Sequence, residues 1–253
     1  MRALDPPAAN LDWAFFLDVD GTLIAIADSP DAVTVDAALS DLLARLSRES
    51  GGAVALISGR AIDDLDKRLG ALRVPLAGQH GLERRDAEGR MRVHAALAGA
   101  KERIKQVLSA IVERHPGLLL EDKGLTLALH YRLAPRLASY AHRVTAQLAQ
   151  DASAGLEVLH GKRVAEIKPA GFDKGSAVAE YLSEPPFKGR RPVYIGDDLN
   201  DEHAFAEVNR LGGISIKVGR GKSCAHFRLP DVAGVISWLG GALKGSVCTR
   251  KPS

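Results

Sequence analysis

Asp18 and Asp20 stand two residues apart where the apolar run of FFLDVDGTL (15–23) ends. In an extended chain successive side chains alternate faces, so both carboxylates point to one side, where two anions repel. A divalent cation removes the conflict: clustered hard carboxylates suit Mg²⁺, which keeps some of its waters and leaves positions for a phosphate oxygen. With its charge compensated in this way, Asp18 can stay ionised and attack phosphorus to form an aspartyl-phosphate. Asp20 can then protonate the leaving alkoxide and later take a proton from the attacking water. Three further polar sets complete such a site: Ser58 with Gly59 and Arg60, then Lys174, then Asp197 with Asp198. Asp197 would join Asp18 on the metal, while Ser58, the loop amides and Lys174 offer the donors that dispersed phosphoryl charge requires. Each set alone has an ordinary explanation as a turn, a helix cap or an acidic loop. Four in order, each beside a strand, favour catalysis.

The elements that would position them alternate strand-length apolar runs with helix-period segments, the rhythm of βα units and a parallel sheet. WAFFLDV, GAVALIS, VPLAG, PVYIG and GISIKVG read as strands. TVDAALSDLLARLSRES carries Leu39, Leu42, Leu43 and Leu46 on one helical stripe, and GRAIDDLDKRLG has acids early and bases late, as a helix dipole prefers. In open parallel sheets the functional crevice lies outside the carboxyl ends of the strands, so the four polar sets are expected to converge there. From about Glu83 to Glu166 the style changes. Two helices, LAGAKERIKQVLSAIVERH and RLASYAHRVTAQLAQ, alternate with a strand pair in LLLEDKGLTLALHYR and a strand near LEVLHGKRVAEIKP, an independent α+β insert. The expected division is a core of residues 1–82 and 169–253 and an insert of 83–168.

Of 253 residues, 46% are hydrophobic, enough for a sizeable core, and 34 basic against 31 acidic residues leave a net charge of +3. That balance argues against a nucleic-acid or membrane surface. MRALDPPAANLDW lacks a signal-peptide core, and no apolar run approaches the ~18 residues of a membrane span, so a soluble cytoplasmic protein is expected. Cys224 and Cys248 lack metal-ligand spacing and read as reduced thiols, and the closing GGALKGSVCTRKPS is expected to fray.

Taken together, DVDGTL (18–23), ISGR (57–60), Lys174 in FDKG and GDDLNDE (196–202) resemble the signatures of the haloacid dehalogenase superfamily of aspartate-nucleophile phosphatases. The resemblance implies an α/β, Rossmann-like core with a parallel sheet, an inserted α+β cap domain and Mg²⁺ dependence. It also implies metal binding by Asp18, Asp20 (through its backbone carbonyl), Asp197 and Asp198, with Asp201 behind them.

Within the insert the likeness narrows. GQHGLERR (78–85), LEDKGLTLALHYR (120–132) and GKRVAEIKP (161–169) are similar to segments of trehalose-6-phosphate phosphatases. This implies that Glu121, Lys123 and Glu166 hold the glucose unit remote from the phosphate, and Gly59, Arg60, Gln79, His80 and Arg132 are the other expected substrate contacts. Directional bonds from charged groups to sugar hydroxyls reject analogues that lack those hydroxyls. From the residues alone, Glu121 to Lys123 better suit an ordinary charged turn, and Gln79 and His80, set between glycines, equally suit a structural turn. His130 and Arg132, alternating about Tyr131, suit a solvated sheet face, and Lys162 and Arg163 a solvent-facing loop. The expectation is a monomeric, Mg²⁺-dependent phosphatase of trehalose 6-phosphate, with cap closure excluding water. Alternatives are sucrose 6-phosphate or a glucosyl-glycerate phosphate as substrate, a phosphomutase, or a non-catalytic sensor.

Overall fold

The structure is a computed structural model, and it describes residues 4–25, 35–94, 100–152, 155–161 and 163–245. Lys162, Cys248 and the rest of the tail from 246 lie outside the described residues. The chain opens with β1 (Ala14–Leu17), α1 (Ala37–Glu49), β2 (Val54–Ile57), α2 (Ile62–Leu69), β3 (Leu76–Gly78), β4 (Glu83–Arg85) and β5 (Met91–Val93). There follow α3 (Lys101–Arg114), β6 (Leu119–Asp122), β7 (Leu127–His130), α4 (Ala138–Asp151), β8 (Leu156–Gly161) and β9 (Val164–Pro169). The last section holds α5 (Lys174–Leu182), β10 (Pro192–Gly196), α6 (Glu202–Arg210), β11 (Ile214–Val218), β12 (Phe227–Leu229) and α7 (Val232–Gly245). Two compact units result, Met1–Arg92 with Asp173–Ser253, and Val93–Phe172.

The first unit is built on an eight-stranded sheet of order β12-β11-β10-β1-β2-β3-β4-β5. Strands β12 through β3 run parallel, and β4 turns antiparallel against β3. The first crossover leads from β1 to β2 on one side, and the chain later returns to add β10 on the other. The order therefore reverses at β1, which opens a crevice at the carboxyl ends of β1, β2 and β10. Alternation along the strands fills both faces: Phe15, Leu17 and Leu56 pack with Leu43 and Leu46 of α1, Leu65 of α2 and Leu239 of α7. Phe16, Ile57 and Tyr194 pack with Tyr181 of α5 and Phe205 of α6 on the other face.

The second unit is an antiparallel sheet of order β6-β7-β9-β8 with α3 and α4 on one face. Leu127, Leu129 and Ile167 form a core with Ile104 and Leu108 of α3 and Ala141 of α4. The opposite face holds the register row Glu121, Ala128, Glu166.

The mixed α/β architecture and all five expected core strands are present. Three details differ from expectation. The segment 83–93 extends the large sheet, with Leu76 opposite Arg85 and Gly78 opposite Glu83, because a strand edge at β3 pairs with it directly. The single strand expected in 156–169 is a hairpin, with Arg163 in the left-handed region at φ 64° where the chain reverses. Residues Gly240–Gly245, expected to fray, complete α7, whose Leu239, Ala242 and Leu243 are buried. Cys224 is exposed, with its thiol pushed up to about 11 by burial of the sulfur and by the adjoining Glu202. Among the described residues no helix is long and apolar enough to cross a membrane.

Candidate active site

Asp18 follows β1 directly and is buried, with Lys174 Nζ 2.6 Å from Oδ1 and the Thr22 hydroxyl donating to Oδ2 at 3.0 Å. Lys174 arrives from a different part of the chain because α5 begins there: Asp173 caps the helix by accepting the Ser176 N–H at 2.8 Å, and the Ser176 hydroxyl accepts the Asp173 N–H at 3.0 Å. Gly175 lets that helix start lie against α6, since a Cβ there would stand 2.7 Å from the His203 carbonyl oxygen.

The same ammonium donates to Asp201 Oδ1 at 2.6 Å, which also accepts the Tyr194 hydroxyl at 2.8 Å. Asp201 Oδ2 takes the Asp198 N–H at 2.8 Å. Asp197 follows β10, and its carbonyl accepts from Lys217, a lysine brought in by β11. One oxygen each from Asp18, Asp197 and Asp201 lie within 4.8 Å of one another. Gly21 makes the approach possible: its φ is +87°, and a Cβ there would stand 2.3 Å from Asp197 Oδ2.

Asp18 and Asp201 share the Lys174 ammonium, and the Lys217 ammonium meets Asp197 at its backbone carbonyl rather than at its carboxylate. Burial pushes the Asp18 carboxyl up to about 8; Lys174 opposes that, and the charges of Asp201 and Asp197 add to it. The Asp201 carboxyl stays below its ordinary range, because Lys174 and the N–H and O–H donors outweigh its burial. The set therefore fits a hard divalent cation on two grounds: the donors are carboxylate oxygens, and added positive charge is what an ionised Asp18 needs.

The other expected residues fall into two groups. In the first unit, Arg60 grips Asp20 with both forks, Nε to Oδ2 at 2.6 Å and Nη2 to Oδ1 at 2.7 Å. Asp20 is thereby turned to Arg60, and Asp198 spends its side chain on the Leu199 N–H at 2.8 Å as the cap of a short 3₁₀ turn. The carboxylate that joins Asp197 in the cluster from the acidic loop is Asp201, three residues beyond Asp198. Ser58 Oγ accepts the Arg60 N–H at 3.1 Å, and Gly59 lies against the His80 ring.

Gln79 and His80 both occupy the left-handed region, at φ 46° and 59°. Such strain costs about 1–3 kcal/mol per residue and persists only where surroundings enforce it. Here Gln79 N–H donates to the Arg60 carbonyl at 2.8 Å and His80 N–H to that of Ser58 at 3.0 Å, so the strained turn clamps the loop that carries Ser58, Gly59 and Arg60. Glu83 secures both partners, accepting the Gln79 amide at 3.1 Å and the Ile62 N–H at the start of α2 at 2.7 Å.

In the second unit, Lys123 pairs with Glu166 at 2.9 Å and the Thr126 hydroxyl donates to the other Glu166 oxygen at 2.6 Å. His130 Nε2 lies 2.7 Å from Glu121, and that contact holds the Glu121 carboxyl below its ordinary range. Glu121, His130 and Glu166 share one sheet face, whereas Arg132 lies beyond the end of β7 in an exposed turn. Thr22, Glu83 and Thr126 lie inside the quoted segments, and Tyr194 and Lys217 inside the expected strands PVYIG and GISIKVG, but none is singled out by its type or spacing, and their roles emerge only as partners in space.

The trehalose-phosphatase family model matches residues 16–232. A probable trehalose-phosphate phosphatase of Sinorhizobium fredii is 47% identical over 214 residues, 84% of this chain and 80% of that protein. The trehalose-6-phosphate phosphatase of Escherichia coli K12 is 45% identical over 240 residues, 93% of this chain and 88% of that protein. Among solved structures, the C-terminal domain of C. albicans trehalose-6-phosphate phosphatase aligns with a TM-score of 0.80 at 25% identity, over 95% of this chain and 98% of that one.

Proposed function

The chain belongs to the trehalose-phosphatase family and is a phosphate-monoester hydrolase; from that premise we propose that it converts trehalose 6-phosphate to trehalose and phosphate through an aspartyl-phosphate on Asp18, with Mg²⁺ as cofactor. The observation that carries this reading is the buried Asp18 carboxylate, held by Lys174 and Thr22 beside Asp197 and Asp201. Asp18 is the nucleophile. Lys174 orients it and offsets charge on the phosphoryl oxygens, while Asp201, with both oxygens engaged by Lys174, Tyr194 and the Asp198 N–H, keeps that lysine in place. Ser58, which accepts the Arg60 N–H, still has its own proton to donate to a phosphoryl oxygen. Asp20 is the acid that protonates the sugar alkoxide and the base for the hydrolytic water.

Asp18 and Asp197 would hold Mg²⁺ by side chain and Asp20 by its backbone carbonyl, with Asp198 and Asp201 as the further acids of the loop. When bound, the ion supplies the positive charge that keeps Asp18 ionised and relieves charge on the phosphoryl group. Glu121, Lys123 and Glu166 bind the remote glucose unit, supported by the sheet face that Glu121 and Glu166 share and by the bond from Lys123 to Glu166. Gly59, Arg60, Gln79, His80 and Arg132 complete the substrate contacts, and the working form is a cytoplasmic monomer.

Phosphate release from a panel of sugar phosphates, with and without Mg²⁺, tests the reading in the wild-type chain and Glu121→Ala. The expected outcome is Mg²⁺-dependent selectivity for trehalose 6-phosphate that collapses in the variant. Flat, low rates across the panel would refute the substrate assignment.

A further inference from the structure

We propose that Asp64 is a positioning residue for the Asp20 carboxylate, acting through Arg60; the inference rests on the acid/base reading of Asp20 given above. Arg60 spends Nε and Nη2 on Asp20 and turns Nη1 to Asp64 Oδ2 at 2.9 Å. Asp64 is in turn gripped by Arg68, from Nε to Oδ2 and from Nη2 to Oδ1, both at 2.9 Å. The four charges alternate in sign along a chain that starts in the loop after β1 and runs down α2.

Helical spacing builds the far half of this chain. Asp64 sits in the first turn of α2 with Arg68 four residues after it on the same face, and Arg60 reaches Asp64 from the loop just before the helix. The two arginine side chains are the shielded members, at 16% and 10% exposure, against 36% for Asp64.

A guanidinium is planar and rigid, so two parallel bonds to a carboxylate fix its orientation only if its own plane is fixed. Arg60 lies before the first residue of α2 and has a long, flexible stem. The bond from Nη1 to Asp64 ties that plane to the helix, and the two bonds from Arg68 hold the Asp64 carboxylate in place. Asp20 thus presents its oxygens in one direction, although its own side chain is about one-third exposed, at 31%. A carboxylate that must give a proton to a leaving oxygen and accept one from water depends on that direction, since a misplacement of about 1 Å costs up to about 100-fold in rate.

A positioning role is separable from a merely structural one by the leaving group. A sugar alkoxide needs a proton from the enzyme, whereas nitrophenolate leaves without one. The experiment measures kcat/KM for trehalose 6-phosphate and for 4-nitrophenyl phosphate in the wild-type chain, Asp64→Asn, Arg68→Gln and Asp20→Asn. Asp64→Asn should lose about ten-fold on the sugar phosphate and less than about two-fold on the nitrophenyl ester. Arg68→Gln, which keeps Asp64 but removes its anchor, should move the ratio in the same direction by less and covers the case in which Asp64→Asn folds poorly. Equal losses on both substrates, or no loss on either, in these two variants would overturn the proposal while Asp20→Asn still shows the selective loss. If Asp20→Asn shows no selective loss, the acid/base reading itself is at fault.

Discussion

Replacing Lys123 by methionine tests how far the polar face of the second unit is a preorganised binding surface. Glu166 is buried, at 4% side-chain exposure, and its two oxygens are held by Lys123 at 2.9 Å and Thr126 at 2.6 Å. Removing one partner of a buried pair typically costs about 3–5 kcal/mol, because the remaining charge stays desolvated. Thr126 keeps one oxygen, and Lys123, at 16% exposure, is already partly hydrated, so the expected loss is about 2 kcal/mol. In a unit the size of Val93–Phe172 each kcal/mol moves Tm by about 4–8 °C, which predicts a fall of about 8–16 °C in the transition of that unit. Differential scanning calorimetry is the assay, because two compact units need not unfold together. Lys123→Met/Glu166→Gln, which removes the stranded charge, should recover stability to within about 1 kcal/mol of wild type. A double variant no more stable than the single one would refute the reasoning.

Gly21→Ala should be severe for a small change. The new Cβ meets Asp197 Oδ2 at 2.3 Å and the backbone stays at φ +87°, so a loss of at least about 1–3 kcal/mol in Tm-derived stability and a large drop in turnover are expected. Asp122 offers a pH test: burial works upward on its carboxyl, but Lys101, Lys105 and the Gly124 N–H hold it at about 2, below the ordinary 3.8. Its contribution is therefore present above pH 3.8 and lost as pH falls through about 2, so the stability difference between wild type and Asp122→Asn should vanish over that window in acid-denaturation curves.

What could be read from the sequence was what local pattern determines. The core strands are short apolar runs with polar residues at their carboxyl ends, so β1, β2, β3, β10 and β11 were legible along with Asp18, Ser58 and Asp197, which terminate three of them. α1 was legible because Leu39, Leu43 and Leu46 keep helical spacing. The hairpin at 156–169 was not, since GKR reads as a polar interruption, and only the left-handed Arg163 reveals a reversal. β4 looked like part of the insert because pairing to β3 is a tertiary fact with no local mark. The end of α7 was hidden by Gly240 and Gly241, poor helix formers that packing of Leu239 and Leu243 overrides. Within the site, Asp198 and Asp201 look alike in GDDLNDE. A tight 3₁₀ turn separates them, facing Asp201 inward to Lys174 and leaving Asp198 to cap the turn. The chain from Asp20 through Arg60 and Asp64 to Arg68 crosses from a strand loop to a helix, and no sequence spacing encodes the first of its bonds.

The covalent step is the most direct target. The wild-type chain and Asp18→Asn would be mixed with trehalose 6-phosphate and Mg²⁺, quenched in acid within the first turnover, and mapped by peptide mass spectrometry with and without hydroxylamine. The account predicts a hydroxylamine-labile phosphoryl group on Asp18 in the wild type, and neither adduct nor phosphate release in the folded variant. A phosphoryl group on another residue, or full turnover by Asp18→Asn, would contradict it.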